Sequence, residues 1–185
     1  MKLISLNLSL PRTIDHQGET ILTGIFKTPI FERVQLHTLG LEGDGQADLR
    51  VHGGVDKAVY LYPSEHYAYW QEVLTRTNLT PGQFGENFTV EGLLETNTHL
   101  GDTFRVGTAI IQITQPRYPC YKLGIKMGRK DFPKLFWQSE FSGFYARVLA
   151  EGHVGAGDAI EPLHLYPENP TIQATYQDTR RKVNE

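Results

Sequence analysis

Short apolar runs that alternate with polar residues, each stopped within a few positions by glycine or proline, constrain this chain more than any other feature. Leu3 to Leu8, Thr20 to Phe26, Arg33 to Leu36, Ala58 to Tyr62, Phe88 to Val90 and Ala109 to Ile113 read as strands, and so does Gly143 to Leu149. The punctuation is dense, with 18 glycines and 10 prolines in 185 residues, and Pro11 to Gly18 reads as a polar loop. Two stretches depart from the strand pattern. Ser64 is placed to cap a helix whose Tyr67, Trp70 and Leu74 share one face, and Asp131-Phe132-Pro133 opens a short helix running to Gln138. The pattern predicts a mainly β, barrel-like domain with a few short helical insertions over residues 1–163. Beyond it, prolines, asparagines and charges replace apolar periodicity, so residues 164–185 are expected to be a polar C-terminal tail or loosely attached arm.

Composition excludes several classes of function. A hydrophobic content of 39%, a charged content of 21% and a net charge of −3 give no general pull toward nucleic acid or anionic membrane. A single cysteine rules out an intrachain disulfide framework. Residues 1–7 alternate like a strand rather than forming a signal peptide, and no apolar run approaches membrane-spanning length. A cytoplasmic protein is expected.

Three polar islands carry the candidate chemistry. In Thr114-Gln115-Pro116-Arg117-Tyr118-Pro119-Cys120-Tyr121-Lys122-Leu123, each proline lacks a backbone donor and restricts the residue before it, which stops the preceding strand. Cys120 follows the second proline on a turn stiff enough to aim a thiol, and Arg117 and Lys122 supply positive charge that favours thiolate. A small buried hydrophobe is the competing reading, and the local residues do not separate the two. The second island runs from Leu41 to Gly54, where Gly43 and Gly45 flank Asp44 and where Arg50 and His52 precede two more glycines; Lys57 follows. Exposed amides in such turns can form an anion nest, so Arg50, His52 and Lys57 point to an anion or phosphate site, with solvated hairpin turns as the alternative. In the third, Phe84-Gly85-Glu86-Asn87-Phe88, Asn87 either holds a turn or presents its amide to a ligand.

Other chemistries lack their patterns. No Gly-x-Gly-x-x-Gly or Walker-type sequence is present, so ordinary nucleotide folds are not expected. The seven histidines show no i, i+4 pair and no zinc spacing. Scattered carboxylates nominate no glycosidase pair, and a Cys120–His52 nucleophile has no local protease signature.

Together the three islands, in this order and followed by Gly143-Phe144-Tyr145-Ala146-Arg147-Val148 and Gly157-Asp158, resemble the MOSC domain, named after the C-terminal domain of molybdenum cofactor sulfurases. The likeness is nearest to the stand-alone bacterial branch associated with resistance to N-hydroxylaminopurine, which is similar to the catalytic domains of mitochondrial amidoxime-reducing enzymes. The resemblance implies a MOSC-type β-barrel holding a molybdenum cofactor (molybdopterin with Mo). It also implies two-electron reduction of an N-hydroxylated base, or a related N-oxygenated compound, to its amine. By the same resemblance Cys120 would be the metal ligand, a role that suits a soft thiolate, with Asn87 as a polar contact near the metal. Arg50, His52, Lys57, Glu86, Asn87, Arg117, Lys122 and Arg147 become candidates for binding the cofactor's phosphate and pterin. The chain has no flavin, haem or iron–sulfur motif, so electrons are expected from a separate protein, by the resemblance a flavoprotein reductase. The alternatives are a persulfide carrier on Cys120 and a non-catalytic cofactor carrier. Oligomeric state is left open, a homodimer included.

Overall fold

In the computed structural model, which describes residues 1–47 and 53–184, β1 (Lys2–Leu8) opens the chain. β2 (Arg12–His16) and β3 (Glu19–Thr23) form a hairpin of their own, followed by β4 (Thr28–Ile30), β5 (Val34–His37) and β6 (Gly40–Leu41). A 3-10 turn at Val55–Lys57 leads to β7 (Val59–Pro63) and α1 (His66–Leu74). β8 (Phe88–Glu91), β9 (Thr103–Val106) and β10 (Ala109–Pro116) precede α2 (Tyr121–Met127) and α3 (Phe132–Ser139). β11 (Phe144–Ala150), β12 (Gly152–Val154), β13 (Ile160–His164) and α4 (Ile172–Asn184) complete the order.

The main sheet has eight strands in the order β13-β9-β10-β11-β7-β8-β1-β4. It is mixed, because β7 and β8 run parallel while the other pairs are antiparallel. This mainly β architecture agrees with the sequence pattern; among the described residues the strands of the expected MOSC-type barrel do not form a closed ladder. The edge of β1 away from β8 is divided: Leu6 to Leu8 pair with β4, while the start of the strand meets the turn before β13. There Leu3 N–H donates to Asp158 O (2.9 Å) and Ile160 N–H to Met1 O (3.0 Å). The sheet curls until its ends touch, without a continuous closing ladder.

Alternation along β7 and β11 explains why both faces of the sheet are buried. Val59 and Leu61, with Phe144, Ala146 and Val148, face a cluster built from Leu3, Leu6, Phe88, Phe104, Ile111 and Ile160. Tyr60, Tyr62 and Tyr145 face the opposite way, into a second cluster with Trp70, Phe84, Leu123, Met127, Phe132 and Phe136. The two-residue period therefore serves two cores. Helices α1, α2 and α3 cover the second face, and each fully buried large side chain there contributes roughly 1.5–3 kcal/mol. Gly143 sets the approach of β11 to β7: its φ is +60°, and a Cβ would stand 2.5 Å from Leu61 O.

Four local expectations change. The polar loop at Pro11 to Gly18 contains β2, because Gln17 (φ 55°) and Gly18 (φ 81°) make a tight hairpin turn that closes two polar strands. Ser64 is not the cap of α1: Glu65 occupies that position, and the Ser64 hydroxyl bonds its carboxylate instead. The strand before the cysteine extends to Pro116, paired with Phe144, since a proline at the last ladder position forfeits little. Finally, the stretch expected as a tail or arm contains α4. Its Ile172 and Tyr176, spaced i, i+4, are fully buried, so a polar sequence with two apolar anchors docks as a helix. Among the described residues, no helix is long and apolar enough to cross a membrane.

Candidate functional site

The second core opens into a pocket on the side of the sheet carrying Tyr60 and Tyr145, with about 600 Å³ of empty space counting its open mouth. Its wall draws on distant parts of the chain, including Thr23 to Ile25, Lys27, Gly45 to Ala47, Lys57, Phe84, Gly85, Arg117 and Cys120. Gly24 and Gly45 let two of these loops touch, since a Cβ on Gly24 would lie 2.5 Å from Gly45 O.

The cysteine turn is fixed at both ends. Arg117 N–H donates to Gly143 O (3.2 Å), tying the turn to the start of β11. Cys120 is the N-cap residue of α2, with extended backbone (φ −122°, ψ 166°), and its carbonyl accepts from Leu123 N–H. The thiol side chain is half-buried and lines the pocket. Arg117 is buried, its guanidinium 5.5 Å from the Tyr60 ring centroid and 5.4 Å from that of Phe136. Burial opposes its charge, but Tyr60, Tyr145 and Cys120 outweigh this and raise its pKa above the ordinary arginine value. Its Nη1 has no hydrogen-bond partner among the described residues, an uncompensated buried donor in the pocket wall.

Lys57 and Lys122 also line the pocket. The Lys57 ammonium lies 5.8 Å from the Tyr145 ring centroid, and Lys122 Nζ donates to Leu22 O (2.8 Å), joining α2 to the β2–β3 hairpin. Asn87 reaches the wall with its amide already engaged. Its Nδ2 donates to Asp44 Oδ2 (2.9 Å) and Asn7 O (3.4 Å), while its Oδ1 accepts from Tyr60 N–H (3.2 Å). That arrangement is a scaffold holding β7 against the glycine turn.

Glu86 and Arg147 stand outside the pocket. The fully buried Glu86 carboxylate accepts from Gly82 N–H (2.7 Å), Phe84 N–H (3.0 Å), Thr89 Oγ1 (2.9 Å) and the Tyr67 hydroxyl, so it organises its own loop. Arg147 pairs with Asp56 at 2.9 Å, both side chains being well exposed. Arg50 and His52 lie outside the described residues.

Several wall residues went unsingled in the sequence. Lys27 is paired in burial with Asp44 (2.5 Å); desolvation pulls its pKa down while Asp44 opposes the shift. Asp44 further accepts from Ser9 N–H (2.9 Å), so this carboxylate gathers the chain from Ser9 to Asn87. Burial raises the pKa of Tyr60 well above the ordinary phenol value and that of Tyr145 in the same direction, keeping both neutral. Nothing in local sequence marks a lysine for burial, whereas the alternation of Tyr60 and Tyr62 against Val59 and Leu61 did carry a signal for the wall tyrosine.

Residues 48–161 match the MOSC domain family. The chain belongs to the MOSC domain family. This MOSC chain is 49% identical over 170 residues to the uncharacterized protein YflK of Bacillus subtilis, covering 92% of the chain and 76% of that protein. It is 42% identical over 141 residues to protein YiiM of Escherichia coli, covering 75% of the chain and 63% of YiiM. A protein named reductase from Gibberella moniliformis is 30% identical over 155 residues, where the MOSC chain covers 28% of its length. The crystal structure of YiiM from Geobacillus stearothermophilus superposes with a TM-score of 0.82 at 34% identity, covering 100% of the chain and 86% of that structure.

Proposed function

We propose that this MOSC protein is a molybdenum-cofactor-dependent reductase of N-hydroxylated bases or related N-oxygenated compounds, with Cys120 as thiolate ligand to the metal. The observation that carries the reading is the meeting, in one pocket, of the half-buried Cys120 thiol with the Arg117 guanidinium, whose buried Nη1 has no partner among the described residues.

The donor set fits a metal that arrives already chelated. Among the described residues, no three His, Cys, Asp or Glu side chains converge on a common position, so the protein would contribute one soft ligand and the cofactor the rest. Lys57 and Lys122 supply charge for a phosphate-bearing group, and Arg117 supplies an uncommitted donor for its acceptor atoms. Family membership and the relative named reductase support the redox reading.

When bound, the cofactor supplies a metal able to pass two electrons to substrate. The overall change is R–NHOH plus two electrons and two protons giving R–NH2 and water. Cys120 would hold the metal through its thiolate. Tyr60 donates its hydroxyl proton to Ser142 O (2.9 Å), which leaves the neutral Tyr145 phenol, beside Arg117, as the wall's proton carrier. Electrons come from a separate protein, for which a flavoprotein reductase is our proposal.

The test is expression of wild type and Cys120→Ala in a host that makes the cofactor, with molybdenum and pterin analysis and an N-hydroxylaminopurine reduction assay. Wild type should carry both metal and pterin and reduce the substrate, while the variant loses activity. Wild type lacking metal and remaining inactive after reconstitution would overturn the proposal.

A further inference from the structure

Helix α4 packs behind the cysteine turn rather than beside the pocket. Tyr118, between Arg117 and Pro119, stacks on Tyr176 of α4 with ring centroids 5.5 Å apart and planes 24° apart. Its hydroxyl hydrogen-bonds Thr179 Oγ1 at 2.8 Å, and Trp137 of α3 closes the cluster, 5.8 Å from Tyr118 and 5.1 Å from Tyr176. A second attachment pins the helix to the end of α3. Glu140 accepts from Arg180 (2.5 Å), Gln177 (2.6 Å) and Gln173 (3.3 Å). The segment matched by the family ends at residue 161, so this support comes from beyond it.

The same turn carries Arg117 just before Tyr118 and Cys120 two positions after it. Arg117 lines the pocket, buried and with Nη1 unpartnered among the described residues, and shares that wall with Cys120. A spacing of three positions between guanidinium and thiol fixes neither unless the intervening Tyr118 and Pro119 are held. Pro116 fixes its own φ and Pro119 confines Tyr118 to extended backbone, but the torsions of Arg117 and the Tyr118 side chain are left to be set by contacts. The observed contacts on Tyr118 are those of α4 and α3.

We infer that Tyr118 is a positioning residue and that α4, through Tyr176 and Thr179, holds the Arg117 guanidinium against the Cys120 sulfur. The inference deepens the proposed function, resting on Cys120 as the pocket's working atom. Its test needs no molybdenum, so the two can fail separately.

The experiment is alkylation of Cys120 in the full-length, cofactor-free chain, comparing anionic iodoacetate with neutral iodoacetamide by mass spectrometry at one pH. The same thiolate attacks both reagents, forming a carbon–sulfur bond and displacing iodide, so the ratio of their rates reports the local positive field rather than the extent of ionisation. Arg117→Gln defines the low end of that ratio. Tyr176→Ala should lower it about threefold, while Tyr176→Phe, which keeps the ring stack, should stay within about 1.3-fold of wild type. A wild-type ratio in Tyr176→Ala, or an equal fall in Tyr176→Phe, would overturn the inference. Should Tyr176→Ala fail to fold, Tyr118→Phe and Thr179→Val decide: each removes the Tyr118–Thr179 hydroxyl contact, and Thr179→Val also gives up the bond from Thr179 Oγ1 to Thr175 O within α4. A fall of about 1.5-fold or more in both then supports the inference, and a smaller change overturns it.

Discussion

Replacing Asn87 by alanine separates a scaffold from a ligand contact. In the structure its amide joins Asp44, Asn7 and the Tyr60 N–H, all within a buried network. Truncation leaves the Tyr60 N–H without its acceptor and deprives the Asp44 carboxylate of one donor, although Lys27 and Ser9 still serve Asp44. Each buried polar group left unpaired costs about 1–3 kcal/mol, and with Asp44 partly compensated the sum is about 2–4 kcal/mol. For a domain of this size that corresponds to a fall in Tm of roughly 4–16 °C. Urea and thermal unfolding of the cofactor-free full-length chain, wild type against Asn87→Ala, measure it directly. Loss of less than about 0.5 kcal/mol, combined with loss of cofactor binding, would refute the scaffold argument and make the amide a ligand contact.

Further perturbations test other parts of the structure. Burial pushes the pKa of Lys126 down to about 8, although its ammonium donates to Ile25 O (2.7 Å) and Gly82 O. The unfolded chain holds that proton up to the ordinary lysine value, so native stability rises as pH passes from about 8 toward 10. Relative to Lys126→Met, wild type should gain up to about 3 kcal/mol across the full interval between the two pKa values, read from urea midpoints. A flat difference would show that the ammonium is solvated. Gly143→Ala should destabilise by at least about 3 kcal/mol in the same assay, because its Cβ would meet Leu61 O while φ stays positive. Arg147→Gln should leave pterin content unchanged and stability within about 1 kcal/mol, since its partner Asp56 is a surface ion pair; cofactor loss would place Arg147 in the site.

Much of the architecture was legible because alternation is a local property. β1, β7, β11 and the β9–β10 hairpin follow their apolar pattern within a few residues, and Asp131-Phe132-Pro133 does open α3. What failed depended on distant partners. Helix α2 is seven residues long with Gly124 at its centre, a glycine that reads as a breaker; here it admits Pro133 to 3.2 Å of where a Cβ would be. Helix α4 is polar except at a few positions and becomes stable only when Tyr176 meets Tyr118 and Trp137. The same distinction governs the pocket. Cys120, Arg117 and Lys122 were visible because one short turn carries all three, and Lys57 because it follows the glycine turns. Lys27 and Asp44 escaped notice because their pairing spans seventeen positions and two loops. Glu86 read as a polar contact, yet its neighbours' N–H groups and two hydroxyls close over it, leaving no accessible surface.

The most direct test of the account is X-ray absorption at the molybdenum edge on the full-length chain from a cofactor-producing host, wild type beside Cys120→Ser. If Cys120 supplies the protein ligand, the sulfur shell around molybdenum shrinks in the variant while the cofactor's own sulfur neighbours remain. Identical sulfur shells in the two proteins would contradict it.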